Sequence, residues 1–162
     1  MRRLDGRLLV ALDGTEFFRS RTIHCPNCSA RKRSDGATEH FRQMLAATVV
    51  APGHARTLPL PPEFVQRRNG LAKQDCEREA AKRWLQRHGP RCAALRPVYL
   101  GDDLYACHPV CRAMLDSGGD FLLTAKPASH QTLYEYLDGI GAPTRRVSSG
   151  TGTRRRIHHY RG

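Results

Sequence analysis

Two short apolar runs, each followed by an aspartate, are the feature that most narrows the fold of this chain. Residues 8–12 read Leu-Leu-Val-Ala-Leu and are followed directly by Asp13. Residues 97–100 read Pro-Val-Tyr-Leu and lead through one glycine to Asp102. Continuous apolar runs of this length are typical of strands covered on both faces of a sheet, as in α/β proteins. The ends of such strands are where a sheet presents ligand-binding and catalytic groups.

The residue types leave two interpretations of Asp13 and Asp102 open. Carboxylate oxygens are the ligands that Mg²⁺ prefers, and two of them can hold the paired metal ions of in-line phosphoryl transfer. Asp next to Gly is also a common turn former, and in that interpretation the two aspartates only end their strands.

The rest of the chain predicts an antiparallel meander of three strands followed by alternating helices and strands. After the first run, we expect a loop over residues 24–38, a second strand over 40–50 and a third over 55–60. Helical spacing of apolar residues predicts a helix over 74–88, with Asp75 as N-cap and a stop at Gly89-Pro90. The later elements are a strand at 97–100, a helix at 109–115, a strand at 121–124, a helix at 129–137 and a strand or hairpin from Arg145. This is the element order of a ribonuclease-H-like fold, and a generic three-layer α/β domain would also fit.

The charge of the chain indicates a polyanionic partner. Lys and Arg number 27 against 15 Asp and Glu, a formal net charge of +12. Such a surplus is typical of proteins that bind nucleic acid, since neutralising phosphates releases condensed counterions. An Arg-rich, solvated surface is the alternative. The basic residues expected at a DNA surface are Arg31, Lys32, Arg33, Lys126, Arg154, Arg155 and Arg156.

No apolar stretch approaches the ~20 residues that a membrane span needs, and no secretory signal is recognisable. We therefore expect no membrane partner and a cytoplasmic location, where the protein would act on DNA.

Five segments of the chain resemble, in the same order, the catalytic domain of bacterial insertion-sequence DDE transposases. The segments are LVALDGTEFF (9–18), IHCPNC (23–28), LPLPPEF (58–64), KQDCEREAAKR (73–83) and GDDLY (101–105). The resemblance covers residues 8–146. It implies a ribonuclease-H-like fold, in which Asp13 is the first catalytic acid and Asp102 the second, with Asp103 as the second choice for the latter.

The same resemblance implies a cofactor, a substrate and a missing part. Two Mg²⁺ ions would be held by Asp13 and Asp102, and double-stranded DNA at the ends of an insertion element would be cut and joined. A homodimer is one assembly compatible with it. The family's third acid, a glutamate on a helix, has no counterpart before Gly162, so we expect residues 1–162 to be a partial catalytic domain, truncated at both ends. Its own activity is left open, and the alternative is a catalytically inactive DNA-binding remnant.

The cysteines suggest a second metal site. Cys25 and Cys28 have the C-x₂-C spacing of half a zinc site, and Cys107 with Cys111 could complete it. His108 or Cys76 are further candidates for the second half. In the alternative interpretation, Cys107 and Cys111 are small buried apolar residues at helical spacing. A zinc-ribbon-like binding module is a third and weaker hypothesis for the whole chain.

Overall fold

A computed structural model describes residues 6–66 and 75–140, together with the backbone of Thr144–Ser148 and Arg154–His158. The chain divides into two compact units, Met1–Thr124 and Ala125–Gly162. The described part is a mixed α/β structure, which confirms the predicted class.

The first unit contains a mixed sheet with helices packed on it. Its strands are β1 (Leu9–Ser20), β2 (Ser29–Lys32), β3 (Thr38–Val50), β4 (Leu58–Pro59), β5 (Glu63–Phe64), β6 (Val98–Gly101) and β7 (Asp120–Leu123). Its helices are α1 (Glu77–Cys92), a 3₁₀ turn (Ala93–Leu95) and α2 (His108–Asp116). The strand order is β2-β3-β1-β6-β7, with β4 and β5 also paired to β3. Strand β3 is antiparallel to β1, whereas β6 is parallel to β1 and β7 is parallel to β6.

Strand β1 does not end at the aspartate, so the turn interpretation of Asp13 is wrong. Asp13 pairs with Ala46 and Gly14 with Leu45 inside the antiparallel ladder with β3. The long partner strand satisfies the backbone groups of these residues, which outweighs their local preference for a turn. The aspartate is therefore held inside a strand, where it is paired with β3.

The loop and third strand of the predicted meander also differ from the expectation. Part of the expected loop over 24–38 is strand β2, whose Ala30 pairs with His40 of β3. The expected third strand at 55–60 is reduced to β4, in which Leu58 pairs with Val49. Prolines at 59, 61 and 62 cannot donate ladder hydrogen bonds, and this keeps the strand short.

Helix α1 runs through the predicted stop at Gly89 and Pro90. Gly89 is needed for close packing: a Cβ at this position would lie 2.5 Å from the Cβ of Ser117, which ends α2. Pro90 has no N–H to donate to the Gln86 carbonyl, so the helix loses one hydrogen bond there, and it ends two residues later at Cys92. The N-cap is Cys76 and not Asp75, which instead accepts hydrogen bonds from Gln66 N at 2.7 Å and from Arg83 at 2.8 and 2.9 Å.

The core lies between the sheet and one layer made by α1 and α2. Val10 and Leu12 alternate with more exposed residues along β1, so one face of the strand points to the helices. Trp84 of α1 is fully buried there, and its indole N–H donates to the Pro61 carbonyl at 2.7 Å. Tyr99 of β6 meets the Trp84 ring edge-on at 6.4 Å.

The second unit contains α3 (Gln131–Ile140) and an antiparallel hairpin of β8 (Thr144–Ser148) and β9 (Arg154–His158). Within it, the Tyr134 hydroxyl donates to the Ala125 carbonyl at 2.9 Å. Both the helix and the hairpin were expected from the sequence. Among the described residues of the two units, no helix is long and apolar enough to cross a membrane.

Candidate active site

Asp13 lies within β1, and Asp102 follows directly on the neighbouring parallel strand β6. The pairs between β1 and β6 are Leu9–Val98, Val10–Tyr99 and Ala11–Leu100, a constant offset of 89 residues. The two aspartates are also 89 residues apart (102 − 13), which continues this offset two positions beyond the last pair, although β6 itself ends at Gly101. Neighbouring strands are about 4.8 Å apart, and residues in register on them point to the same face. Both aspartates are exposed.

The backbone around each aspartate is well anchored. The pairing of Asp13 with Ala46 anchors it in the ladder with β3. Asp102 follows β6 directly and starts a turn in which its carboxylate accepts the N–H of Leu104 at 2.9 Å. Asp103, the second choice for the second acid, is offset from Asp13 by 90 residues (103 − 13), so the register favours Asp102.

A third carboxylate, which sequence reasoning did not select, approaches the same strand end. Glu77 is the first residue of α1, and its carboxylate packs against Gly14, the residue after Asp13. A Cβ at Gly14 would collide with this carboxylate, so the glycine provides the space for it. The fully buried Tyr105 donates its hydroxyl to Glu77. In the sequence, Glu77 is only an acid near the start of a predicted helix, a position that acids favour, and nothing local connects it with Asp13 or Gly14.

Tyr105 is held as a hydrogen-bond donor by its surroundings. Burial raises the pKa of Tyr105 most, followed by the hydrogen bond to Glu77 and by the negative charges of Glu77, Asp13 and Asp102. The phenol therefore stays protonated and serves as a permanent hydrogen-bond donor to Glu77. We refer to Asp13 and Asp102, at the ends of neighbouring apolar runs, and Glu77, which contacts Gly14, together as the acidic cluster.

A cleft opens beside Glu77. It has a volume of about 630 Å³ and is bordered by β3 and by the starts of α1 and α2. The N-caps of these helices, Cys76 and Cys107, make no side-chain capping hydrogen bond in the described structure. Free N–H groups at a helix start favour anions. Its lining residues are Gln43, Asp75, Cys76, Glu77, Arg78, Glu79, Lys82, Leu104, Cys107, Pro109 and Val110.

Neither of the two predicted metal sites is assembled among the described residues. Among the described residues, no group of three or more His, Cys, Asp or Glu side chains is arranged to hold a metal ion. The acidic cluster has the oxygen donors that suit Mg²⁺, but its carboxylates do not converge on one point. The four cysteines proposed for zinc are likewise not brought together. Cys107 and Cys111 lie at the start of α2, and burial raises the pKa of the Cys111 thiol.

Cys25 and Cys28 form a tight turn between β1 and β2. Their sulfur atoms are 3.5 Å apart, and the Cys28 N–H donates to the Cys25 carbonyl at 3.0 Å. The pKa of the Cys25 thiol lies below its usual value, because its sulfur accepts hydrogen bonds from the Cys28 thiol, from the Asn27 backbone and from Arg42. The pair is therefore chemically distinct from the cysteines on α2.

The basic residues proposed for DNA binding are not equally available. Arg31 bridges Glu16 at 2.8 Å and Glu39 at 2.5 Å, so its charge is already neutralised within the sheet. Arg33 is 3.5 Å from Glu39. The side chains of Lys32 and Lys126 are exposed. The side chains of Arg154, Arg155 and Arg156 lie outside the described residues.

A scan of the chain against protein-family models finds no match, and a search of curated proteins finds none either. The function must therefore be argued from the site. Its main elements are two aspartates in register, a buried tyrosine that holds a third acid, and a cleft beside them.

Proposed function

We propose that this chain carries part of a metal-dependent DNA strand-transfer site similar to that of insertion-sequence DDE transposases. The observation that carries the proposal is that Asp13, within β1, and Asp102, directly after β6, keep the 89-residue offset of the pairing between these two parallel strands. Two aspartates that served only to form turns would not be expected to share the offset of the strand pairing. Two aspartates that bind one metal centre would share it, because both carboxylates must reach the same metal ions.

The chemistry of the donors fits the proposed cofactor. Asp13 and Asp102 would hold Mg²⁺, and Glu77 would supply a further carboxylate from the helix side of the same strand end. When bound, paired Mg²⁺ ions stabilise the charge on the attacking and leaving oxygens of a phosphoryl group. Tyr105 keeps the Glu77 carboxylate over Gly14, because its protonated hydroxyl has this acid as acceptor.

The cleft beside Glu77 carries charges of both signs. It is bordered by two helix starts, and Arg78 and Lys82 line its wall together with the acids Asp75, Glu77 and Glu79. The net charge of +12 would draw DNA to the protein as a whole. Water, and then a DNA 3′-hydroxyl, would be the nucleophiles.

The strand arrangement supports a ribonuclease-H-like fold for the first unit. The antiparallel strands β1 and β3 come first, and the parallel strands β6 and β7 follow after α1 and α2 respectively. In this arrangement Asp13 lies on the central strand β1, and Asp102 directly follows its neighbour β6. We include this fold in the proposal.

The test is Mn²⁺ binding by the full chain, measured by electron paramagnetic resonance, followed by nicking of supercoiled plasmid. Asp13→Asn and Asp102→Asn should each weaken Mn²⁺ binding by roughly tenfold or more, the loss expected when a charged ligand is removed. Asp103→Asn is the matched control, because it removes the same charge one residue out of register. Equal binding by all three variants would refute the proposed site.

The alternative function is a DNA-binding remnant without chemistry, which the charge of +12 favours. In that case Asp13→Asn and the unchanged chain would bind DNA equally and would both fail to nick it. Binding to phosphates also predicts a steep loss of affinity with salt. Affinity that is insensitive to salt would exclude both functions.

A further inference from the structure

We infer that Cys25 and Cys28 form a reversible dithiol–disulfide pair that reacts with low-molecular-weight disulfides. This site is separate from the acidic cluster and does not depend on the proposed function. It rests on the position of the two sulfur atoms, on their different exposure and on the groups that surround them.

The two sulfurs are already close to bonding distance. They are 3.5 Å apart, and a disulfide bond is about 2.05 Å long, so closure requires an approach of about 1.5 Å. The hydrogen bond from Cys28 N to the Cys25 carbonyl holds both residues in one tight turn. Side-chain rotation and a small adjustment of this turn are enough for closure.

The environment distinguishes an attacking thiol from a resolving one. Cys25 is half-buried and reachable, whereas Cys28 is 2% exposed. The Arg42 guanidinium lies 3.7 Å from the Cys25 sulfur, where its positive charge stabilises a thiolate. Arg42 Nε is buried and finds no acceptor among the described residues, so the cation has few competing partners there.

A small groove gives reagents access to the thiols. It has a volume of about 350 Å³ and is lined by aromatic and aliphatic side chains together with Arg42. Ile23, at its edge, is 69% exposed. An apolar groove with one cation suits a small disulfide that carries a carboxylate, such as a peptide disulfide.

The exchange balances without any further reactant. The Cys25 thiolate attacks one sulfur of the reagent disulfide, forms a mixed disulfide and releases the other half as a thiolate. Cys28 then loses its proton to solvent and attacks the Cys25 sulfur, which releases the second half. The protein loses two hydrogens as two protons and two electrons, and the reagent is reduced to two thiols.

The second pair of nearby cysteines provides a contrast within the same chain. Cys107 is the N-cap of α2, and Cys111 lies in the first turn of that helix. The Cys111 sulfur lies 4.0 Å from the Tyr105 carbonyl, and burial raises the pKa of its thiol. A thiol with a raised pKa forms less of the reactive thiolate, so this pair should react more slowly than Cys25 and Cys28.

The test is oxidation of the full, native chain by glutathione disulfide in the presence of a chelator. Denaturation in iodoacetamide then labels the remaining thiols, and tryptic peptides are weighed. Residues 22–31 follow Arg21 and end at Arg31, and they contain Cys25 and Cys28 as their only cysteines. This peptide should lose two hydrogens and carry no label, and dithiothreitol should restore labelling. The peptide 92–112, which contains Cys107 and Cys111, should stay fully labelled.

Variants separate the two steps. Cys28→Ala should accumulate glutathione on Cys25, because the resolving thiol is absent, whereas Cys25→Ser should leave Cys28 unmodified. The mapping of the native chain does not depend on either variant folding. A fully labelled 22–31 peptide after oxidation would overturn the inference, as would equal oxidation of the 92–112 peptide.

Discussion

Asp75→Asn should destabilise the first unit by about 2–3 kcal/mol, although Asp75 lies outside the acidic cluster. The Asp75 side chain is 1% exposed and forms two parallel hydrogen bonds with Arg83. Removing one partner of a buried ion pair costs about 3–5 kcal/mol. We expect a smaller loss for Asp75→Asn, because Arg83 keeps its 3.0 Å contact with Glu63 and is 24% exposed. The free energy of unfolding is measured by urea denaturation, followed by the fluorescence of Trp84, the single tryptophan.

The matched control is Asp116→Asn, which removes an aspartate from an exposed pair with Arg112 on α2. Such pairs contribute about 0.3–0.5 kcal/mol, so this variant should unfold almost as the unchanged chain does. If the two variants lose equal stability, the reasoning from burial is wrong.

The cost of Asp75→Asn should also depend on pH. Burial acts to raise the pKa of Asp75, but the hydrogen bonds from Arg83 and Gln66 outweigh it and hold the pKa below its usual 3.8. A lowered folded-state pKa stabilises the protein above the unfolded value, and this contribution is lost as the pH falls through the folded value. The difference in free energy of unfolding between the unchanged chain and Asp75→Asn should have its full value at neutral pH and should decrease below about pH 3.8. A constant difference at lower pH would contradict the assignment.

Three further predictions concern the sheet and the acidic cluster. Tyr105→Phe removes a hydrogen bond to a carboxylate and should cost about 1.5–3 kcal/mol in urea unfolding, a cost that vanishes when Glu77 is already alanine. Gly14→Ala should cost about 1–3 kcal/mol through its collision with Glu77, and a double-mutant cycle with Glu77→Ala should remove most of this cost. The hydrogen bond from Arg31 lowers the pKa of Glu16, so stability should fall as the pH drops below 4.5, and Arg31→Met should weaken that pH dependence.

The elements that the sequence predicted are those whose signal is local. The apolar run before Asp13 is a strand, and the periodic apolar residues around Trp84 form a helix. In both cases the spacing of apolar residues reflects which positions are buried, and this spacing can be read directly from the residue types. The ends of these elements were harder to predict, because Gly89 packs against Ser117, far away in sequence. A glycine required for close packing and a glycine that stops a helix look the same in a sequence.

The site shows the same division between local and tertiary information. Asp13 and Asp102 could be selected from their strand context and from the resemblance. Glu77 could not, because its relation to Gly14 exists only after α1 has packed on the sheet. The ion pairs of Arg31 with Glu16 and Glu39 also depend on the tertiary structure, since these residues come from three different strands.

The register of β1 and β6 is what turns two separate aspartates into one candidate site. The spacing of 89 residues has no meaning in the sequence until the pairing of Leu9 with Val98 sets the same offset. A slip of one residue would place Asp103 opposite Asp13 and turn the β6 side chains to the other face. It would also remove Tyr99 from the core beside Val10, and burial of Tyr99 opposes that slip. The packing of Tyr99 therefore fixes the register on which the proposed metal site depends, and a variant that disrupts this packing should weaken the proposed Mn²⁺ binding without changing either aspartate.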